Sequence, residues 1–389
     1  MASYQLIVNS GSASKKYALA KDGAVIALGH LEHMPRGFMF TISVLGKERQ
    51  QDIAPDRRAF APLIFIETCI RQGLISSIEE VQAIVFRIVA PGTHFQSHRE
   101  LSPGTLERLK ALEVLSPAHI RATLEDIEDV SKQFPGRRLL SASDSAFHST
   151  IPSIAREYAL DPEFAATYDI YRNGYHGLST ASIVSKLRNR GAVPERLIVI
   201  HVGGGISVTA VEKGISIETS MGFLPLTGVP MATRAGDLDA GALLALLERS
   251  SDEPERLIRR LYHESGLVNY ANLGHGGIKE LLVASKVGNH EATHALAKYS
   301  YHLRKEIASA VAVLSGVDAV LLTGTALLRS PRLRMLTISG LGHISLVIDP
   351  RRNEECGSGE GVLSGESGTL IEVVRTHEMD EMARIGHEL

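Results

Sequence analysis

The chain has 389 residues, 44% hydrophobic and 22% charged, with a formal net charge of −3 at pH 7. That length and apolar content suit large buried cores in two or three domains, and the small net charge offers no electrostatic attraction to nucleic acid or to a membrane surface. No uncharged apolar run is long enough to cross a bilayer, the start MASYQLIVNS lacks a basic segment followed by an apolar one, and Cys69 and Cys356 stand far apart without a CxxC pair; these features predict a cytoplasmic protein with two buried free thiols.

The first element predicted is a three-strand meander. In YQLIVNSGSASKKYALAKDGAVIALG (4–29) an apolar strand, a Gly/Ser turn, a second strand, a KDG turn and a third strand follow one another. VQAIVFRIVA (81–90) then reads as a buried strand. LIVIHVGGGISVTAVEKGISI (197–217) repeats the first plan, with a Gly-rich turn and an EKG turn between three strands, each copy being followed by helix-forming sequence. Residues 290–315 read as a long helix with Leu296, Tyr299, Leu303, Ile307, Ala310, Val311 and Leu314 on one stripe, and 319–324 as a buried strand. From about Ser367 to Leu389 the pattern is a strand or turn and then a helix.

Six short segments carry chemistry: NSGSASKKY (9–17), FRIVAPG (86–92), SDSAFHSTIP (143–152), NGYHGLS (173–179), HVGGGISVTAV (201–211) with ETSMGFLPLTGVPMATRAGD (218–237), and THEMDEMA (376–383). Phosphoryl transfer needs alignment and charge neutralisation more than covalent help. Arg87 and Arg234 offer permanently charged, forked donors for phosphate oxygens. His176 is a neutral or charged donor, Asp144 and Glu378 are hard oxygen ligands suited to Mg²⁺, and Asn9, Ser12, Ser14 and Lys16 lie on a hairpin able to meet phosphate. Taken singly, an Arg on a strand, a Gly-rich turn or an acidic helix start is usually structural. Their joint occurrence in this order is what carries weight.

In that order the segments resemble the acetate kinase family of short-chain carboxylate kinases. The resemblance implies a duplicated α/β actin/hexokinase-like (ribonuclease H-like) fold of two lobes with a central cleft, residues 1–150 joined by about 367–389 forming one lobe and 151–366 the other. It implies Mg²⁺-dependent, reversible, in-line phosphoryl transfer from ATP to acetate or another short carboxylate, giving acyl phosphate and ADP, in a homodimer. By position it makes Arg87, Asp144, His176 and Arg234 catalytic. Asn9, Ser12, Ser14, Lys16, His201, Gly203, Gly204, Gly205 and Gly324 become phosphate or nucleotide contacts, Asn9 and Glu378 metal ligands, and Val89, Ala118, Tyr175 and Pro225 the acyl cup.

The departures from the family pattern cluster at the nucleotide end. Gly203, Gly204 and Gly205 stand where the family has G-N-G, and LTGTALLRS (322–330) replaces a Gly-rich stretch by Thr325, Ala326, Leu327, Leu328 and Arg329. Three further family motifs also change. His119, Ile120 and Arg121 replace H-N-P, Gly177 to Thr180 replace G-T-S-H, and Phe86 precedes the catalytic Arg. Three readings stay open: ATP with an altered pocket, pyrophosphate or polyphosphate as donor, or a non-catalytic anion- or partner-binding relative. The expense of keeping a charged core argues against the last. HEATH (290–294) matches the zinc-peptidase pattern H-E-x-x-H, but His290 and His294 fall opposite the apolar stripe, in the first turn after Asn289, so no cleft would enclose a zinc there.

Overall fold

Both predicted meanders form, and each opens a sheet. The computed structural model describes residues 3–11, 14–34, 36–115, 117–365 and 368–389, the side chains of 117–119 excepted. The first sheet contains β1 (Tyr4–Ser10), β2 (Ser14–Lys21), β3 (Ala24–Met34), β4 (Gly37–Val44), β5 (Lys47–Ile53), β6 (Val81–Ile88), β7 (Arg99–Glu100) and β8 (Arg138–Ser143), in the order β5-β4-β3-β2-β1-β6-β8-β7. The second contains β9 (Arg196–Val202), β10 (Ile206–Glu212), β11 (Ile215–Thr219), β12 (Ala319–Thr323), β13 (Gly361–Val362) and β14 (Leu370–Val373), in the order β11-β10-β9-β12-β14-β13.

The repeat is therefore topological as well as sequential. In each sheet an antiparallel meander is extended by two parallel strands laid beside its first strand, β6 and β8 beside β1, β12 and β14 beside β9. Parallel central strands are covered on both faces, which is why YQLIVNS and VQAIVFRI read as nearly continuous apolar runs and why β1 is buried along almost its whole length. One expectation needs correction. Helix-forming sequence does not follow the first meander directly, because the β4–β5 hairpin intervenes before the helix Ala61–Arg71. β5, KERQQDI, is almost entirely exposed at the sheet edge, a charged strand that discourages further edge pairing.

The chain divides into two compact units, Met1–Ala146 with His377–Leu389, and Phe147–Thr376. In the first, Leu6, Tyr17, Phe40, Phe65, Phe86, Phe95 and Phe134 anchor the core, and the helix Glu378–Glu388 packs on β1, β3, β6 and β8. In the second, the core runs through Ile183, Val184, Leu197, Val199, Val211 and Leu321, while the helix His290–Val313 packs on β10 through a stripe that buries Leu296, Tyr299, Leu303 and Ile307. Of the stripe residues predicted, Val311 is only half-buried. Cys69 is buried and burial pushes its thiol up to about 12, whereas Cys356 is half-buried rather than buried; both are free.

Candidate active site

In the first unit the parallel strands β1, β6 and β8 end at one edge of the sheet, and their carboxyl ends carry three of the predicted site residues. Asn9 lies near the end of β1, Arg87 near the end of β6, and Asp144 follows β8. Glu378 begins the helix that packs on these strands. The four side chains meet. Arg87 donates through Nη2 to Asp144 Oδ2 at 3.0 Å and through Nη1 to Asn9 Oδ1 at 3.4 Å, and Nη1 lies 3.5 Å from Glu378 Oε2. Asn9 Nδ2 closes the knot by donating to Glu378 Oε2 at 3.1 Å.

The knot is removed from water. The Arg87 side chain is 15% exposed and that of Asp144 1%. Burial by itself would lower the guanidinium pKa, but the facing carboxylates of Asp144 and Glu378 outweigh it and hold Arg87 above its ordinary value. Two carboxylates and an amide oxygen are hard donors of the type Mg²⁺ prefers, too few to cage it and sufficient to hold it when substrate phosphates and water complete the shell. Among the described residues no cluster of three or more His, Cys, Asp or Glu could hold a metal alone.

The neighbouring hairpin is anchored by a residue that sequence reasoning missed. Asp126, buried on the helix Pro117–Gln133, accepts from Ser10 Oγ through one carboxylate oxygen and from Lys15 Nζ through the other, so one carboxylate grips both strands. Lys16 stands opposite Asn9 in the ladder and is exposed, while Ser14 is half-buried and its carbonyl accepts from Gly11 N at 3.0 Å. Ser12 and the side chain of Ala118 lie outside the described residues.

In the second unit three side chains gather at the turn between β9 and β10. His176 precedes the helix Gly177–Asn189 in a left-handed conformation, φ 61°. Its Nδ1 lies 3.0 Å from Ser207 Oγ on β10, which turns Nε2 toward Gly205. A Cβ at Gly205 would stand 3.0 Å from His176 Nε2 and 3.3 Å from Arg234 Nη1, so glycine here permits the backbone, the imidazole and the guanidinium to share one spot. Arg234, itself buried, donates to Pro225 O at 2.8 Å and lies 5.7 Å over the Tyr262 ring. His201 Nδ1 meets Ser179 Oγ at 2.8 Å, and the His176 and His201 rings lie 4.3 Å apart. Ser207, inside the quoted segment HVGGGISVTAV, was not singled out in the sequence, and a strand buried along nearly its whole length gives no alternation that would mark it.

A family model, the acetokinase family, matches residues 4–384. The chain belongs to the acetokinase family. An acetate kinase of Heliobacterium modesticaldum is 31% identical over 394 residues, covering 99% of this chain and 98% of that protein. Acetate kinase 2 of Lactococcus lactis is 33% identical over 390 residues, with 97% and 98% coverage. Among solved structures, a propionate kinase from Francisella tularensis superposes with a TM-score of 0.86 at 26% identity, covering 98% of each chain. The acetate kinase of Porphyromonas gingivalis gives 0.81 at 27% identity, covering 99% of each. As a member of this family the protein is a phosphotransferase with a carboxyl group as acceptor, on the family's duplicated α/β fold.

The departures from the acetokinase pattern have a definite structure. β12 pairs with β9 so that Thr323 lies beside His201, and Gly324 leads into the short helix Thr325–Arg329. Leu327 and Leu328 are turned into the core, and Thr325 and Arg329 are the exposed ones. Beneath them Arg334 is fully buried, with donors to Leu327 O, Asn353 Oδ1, Asn353 O and Gly357 O at 2.7–3.0 Å, a cation held by carbonyls. Of the acyl-cup candidates, Val89 is half-buried in the first unit, while in the second Tyr175 and Pro225 are buried and Tyr175 Oη donates to Phe223 O at 2.6 Å. Gly203 N donates to Gly205 O at 2.9 Å, and Gly204 is exposed at the turn.

The HEATH segment opens the helix His290–Val313, with Asn289 Oδ1 accepting from Ala292 N at 2.7 Å. His290 and His294 are exposed, and His294 Nδ1 is engaged by Tyr270 Oη at 2.9 Å.

Proposed function

We propose that this protein transfers the γ-phosphoryl group of ATP to acetate or another short-chain carboxylate, reversibly and by direct in-line displacement. A carboxylate oxygen attacks phosphorus, the bond from phosphorus to the bridging oxygen breaks, and acyl phosphate and ADP result. The observation that carries this reading is the approach of His176 Nε2 and Arg234 Nη1 to one glycine, Gly205, which makes a compact donor site for an anionic group within a family of carboxylate kinases.

In this reading Arg234 and Arg87 neutralise charge on the equatorial phosphoryl oxygens, and His176, oriented by Ser207, donates a hydrogen bond to the same group. Lys16, Ser12 and Ser14 of the first hairpin, with His201 and the turn Gly203–Gly205, bind the donor's phosphates, and Gly324 lies on the nucleotide side. Asn9, Asp144 and Glu378 hold Mg²⁺, which when bound neutralises the donor's phosphates. Val89, Ala118, Tyr175 and Pro225 set the acyl preference.

The protein acts as a homodimer in the cytoplasm. The helix Ala240–Arg249 supports the dimer: none of its residues is buried, and Leu243, Leu244, Leu246 and Leu247 are each at least 37% exposed. A row of leucines of this kind requires cover. Two free thiols fit a reducing compartment.

The test is hydroxamate trapping of acyl phosphate by purified protein with Mg²⁺ and acetate, propionate or butyrate, comparing ATP with pyrophosphate. Product with ATP is the expected result. Product with pyrophosphate alone would replace the donor, and no product with any pair would overturn the assignment.

A further inference from the structure

The turn that carries His176 is unusual for its backbone. His176 has φ 61° and ψ 25°, a left-handed conformation that costs a non-glycine residue about 1 kcal/mol or more and persists only where its surroundings enforce it. Gly174, two residues earlier, is also left-handed at φ 71°. From outside, the turn is held by Asn173 N and Gly174 N, which donate to Gly222 O at 3.1 and 3.3 Å. On the C-terminal side, Thr180 bonds back to the His176 carbonyl through N at 3.0 Å and Oγ1 at 3.1 Å.

Beneath the turn lies a histidine that phosphoryl transfer does not touch. His148 is fully buried. Its Nε2 meets Tyr175 O at 3.0 Å and its Nδ1 meets Ser216 Oγ on β11 at 2.9 Å. A carbonyl can only accept, so Nε2 carries a proton and donates, and in the neutral ring Nδ1 accepts a hydrogen bond from the Ser216 hydroxyl. The same ring fills the floor of the turn, since a Cβ at Gly174 would lie 2.6 Å from His148 Cγ. The segment bearing His148 is tied to β11 a second time, by Thr150 Oγ1 donating to Ser216 O at 2.8 Å.

We infer that His148 is a positioning residue, which grips the Tyr175 carbonyl from a Ser216-fixed orientation and thereby holds the next residue, His176, in the left-handed conformation that aims Nε2 at Gly205. The inference rests on the role proposed for His176. It adds a specific requirement at 148. The side chain must donate at one end, accept at the other and fill the space beneath Gly174. Glutamine meets the first two conditions, and leucine meets only the third.

The experiment is a set of variants, His148→Leu, His148→Gln and Ser216→Ala, with His148→Leu also combined with His176→Ala, assayed for kcat and for KM of the carboxylate in the hydroxamate assay. A small misplacement of a reacting group costs about tenfold or more in rate. His148→Leu therefore lowers kcat about tenfold or more with KM for the carboxylate little changed, His148→Gln recovers most of it, and Ser216→Ala gives a smaller loss in a protein that still folds. In the His176→Ala background His148→Leu has no further effect on kcat. An equal fold loss in both backgrounds, or wild-type kcat in both His148→Leu and Ser216→Ala, would overturn the inference while leaving a low kcat in His176→Ala intact. Wild-type kcat in His176→Ala would remove the role of His176, and this inference with it.

Discussion

Replacing Arg87 by Met separates what the buried knot does for stability from what it does for turnover. The Arg87 to Asp144 contact is 3.0 Å long, with side-chain exposures of 15% and 1%. At an effective dielectric of about 20 such a pair attracts with a gross energy of about 5 kcal/mol, most of it offset by desolvating both ions. Methionine retains the apolar stem but strands a buried carboxylate at Asp144 and leaves Glu378 without its guanidinium. Breaking a buried pair from one side costs about 3–5 kcal/mol, read as a fall in the urea midpoint with an unchanged slope. The double variant Arg87→Met, Asp144→Leu removes the stranded charge and recovers stability to within about 1 kcal/mol of the native protein. Turnover behaves differently. Loss of a guanidinium that neutralises a transferring phosphoryl group costs about 10³-fold or more, and hydroxamate formation stays at that low level in the double variant. A single variant less than about 1 kcal/mol less stable than native would refute the buried-network argument. Turnover restored in the double variant would refute direct contact between Arg87 and the reacting group.

Two further outcomes are expected elsewhere. Burial, and after it Asp237, pushes the half-buried Glu306 carboxyl up to about 7 from its ordinary value of 4.5; the folded state then binds this proton more tightly than the unfolded chain, so the contribution to stability is lost as pH rises from 4.5 to about 7 and is constant above that. Glu306→Gln removes the penalty, which is about 3 kcal/mol at most, raising Tm at pH 8 and flattening its decline between pH 5 and 7; identical Tm profiles would refute it. Gly205→Ala places a methyl group 3.0 Å from the His176 ring and 3.3 Å from Arg234 Nη1, and is expected to reduce kcat about tenfold or more with little change in thermal unfolding. Native kcat in that variant would mean that the spot shared by the three groups is not where phosphoryl transfer occurs.

Much of the architecture was legible because its signals are local. Both meanders announce themselves through apolar runs punctuated by glycine turns, and the helix His290–Val313 through a stripe that recurs every three or four residues. The β4–β5 hairpin was not legible. KERQQDI offers no alternation, since an edge strand exposed along nearly its whole length is held by ladder hydrogen bonds instead of burial. Nor was the direction of Leu327 and Leu328 legible: the residues are visible in the sequence, but only the packing of the short helix turns them inward.

The residue types needed for phosphoryl transfer, and their order along the chain, were determined by the amino-acid sequence alone, because each sits in a short segment whose neighbours specify a turn or a strand end. What the tertiary structure decided is which of them meet. Asn9 and Glu378 are 369 residues apart in sequence and hydrogen-bonded in space, Asp126 reaches Ser10 across 116 residues, and His148 supports His176 through the carbonyl of Tyr175. Such contacts have no local signature. They exist because parallel strands bring distant carboxyl ends to one sheet edge, and because a buried polar group must find its partner wherever the packing places one.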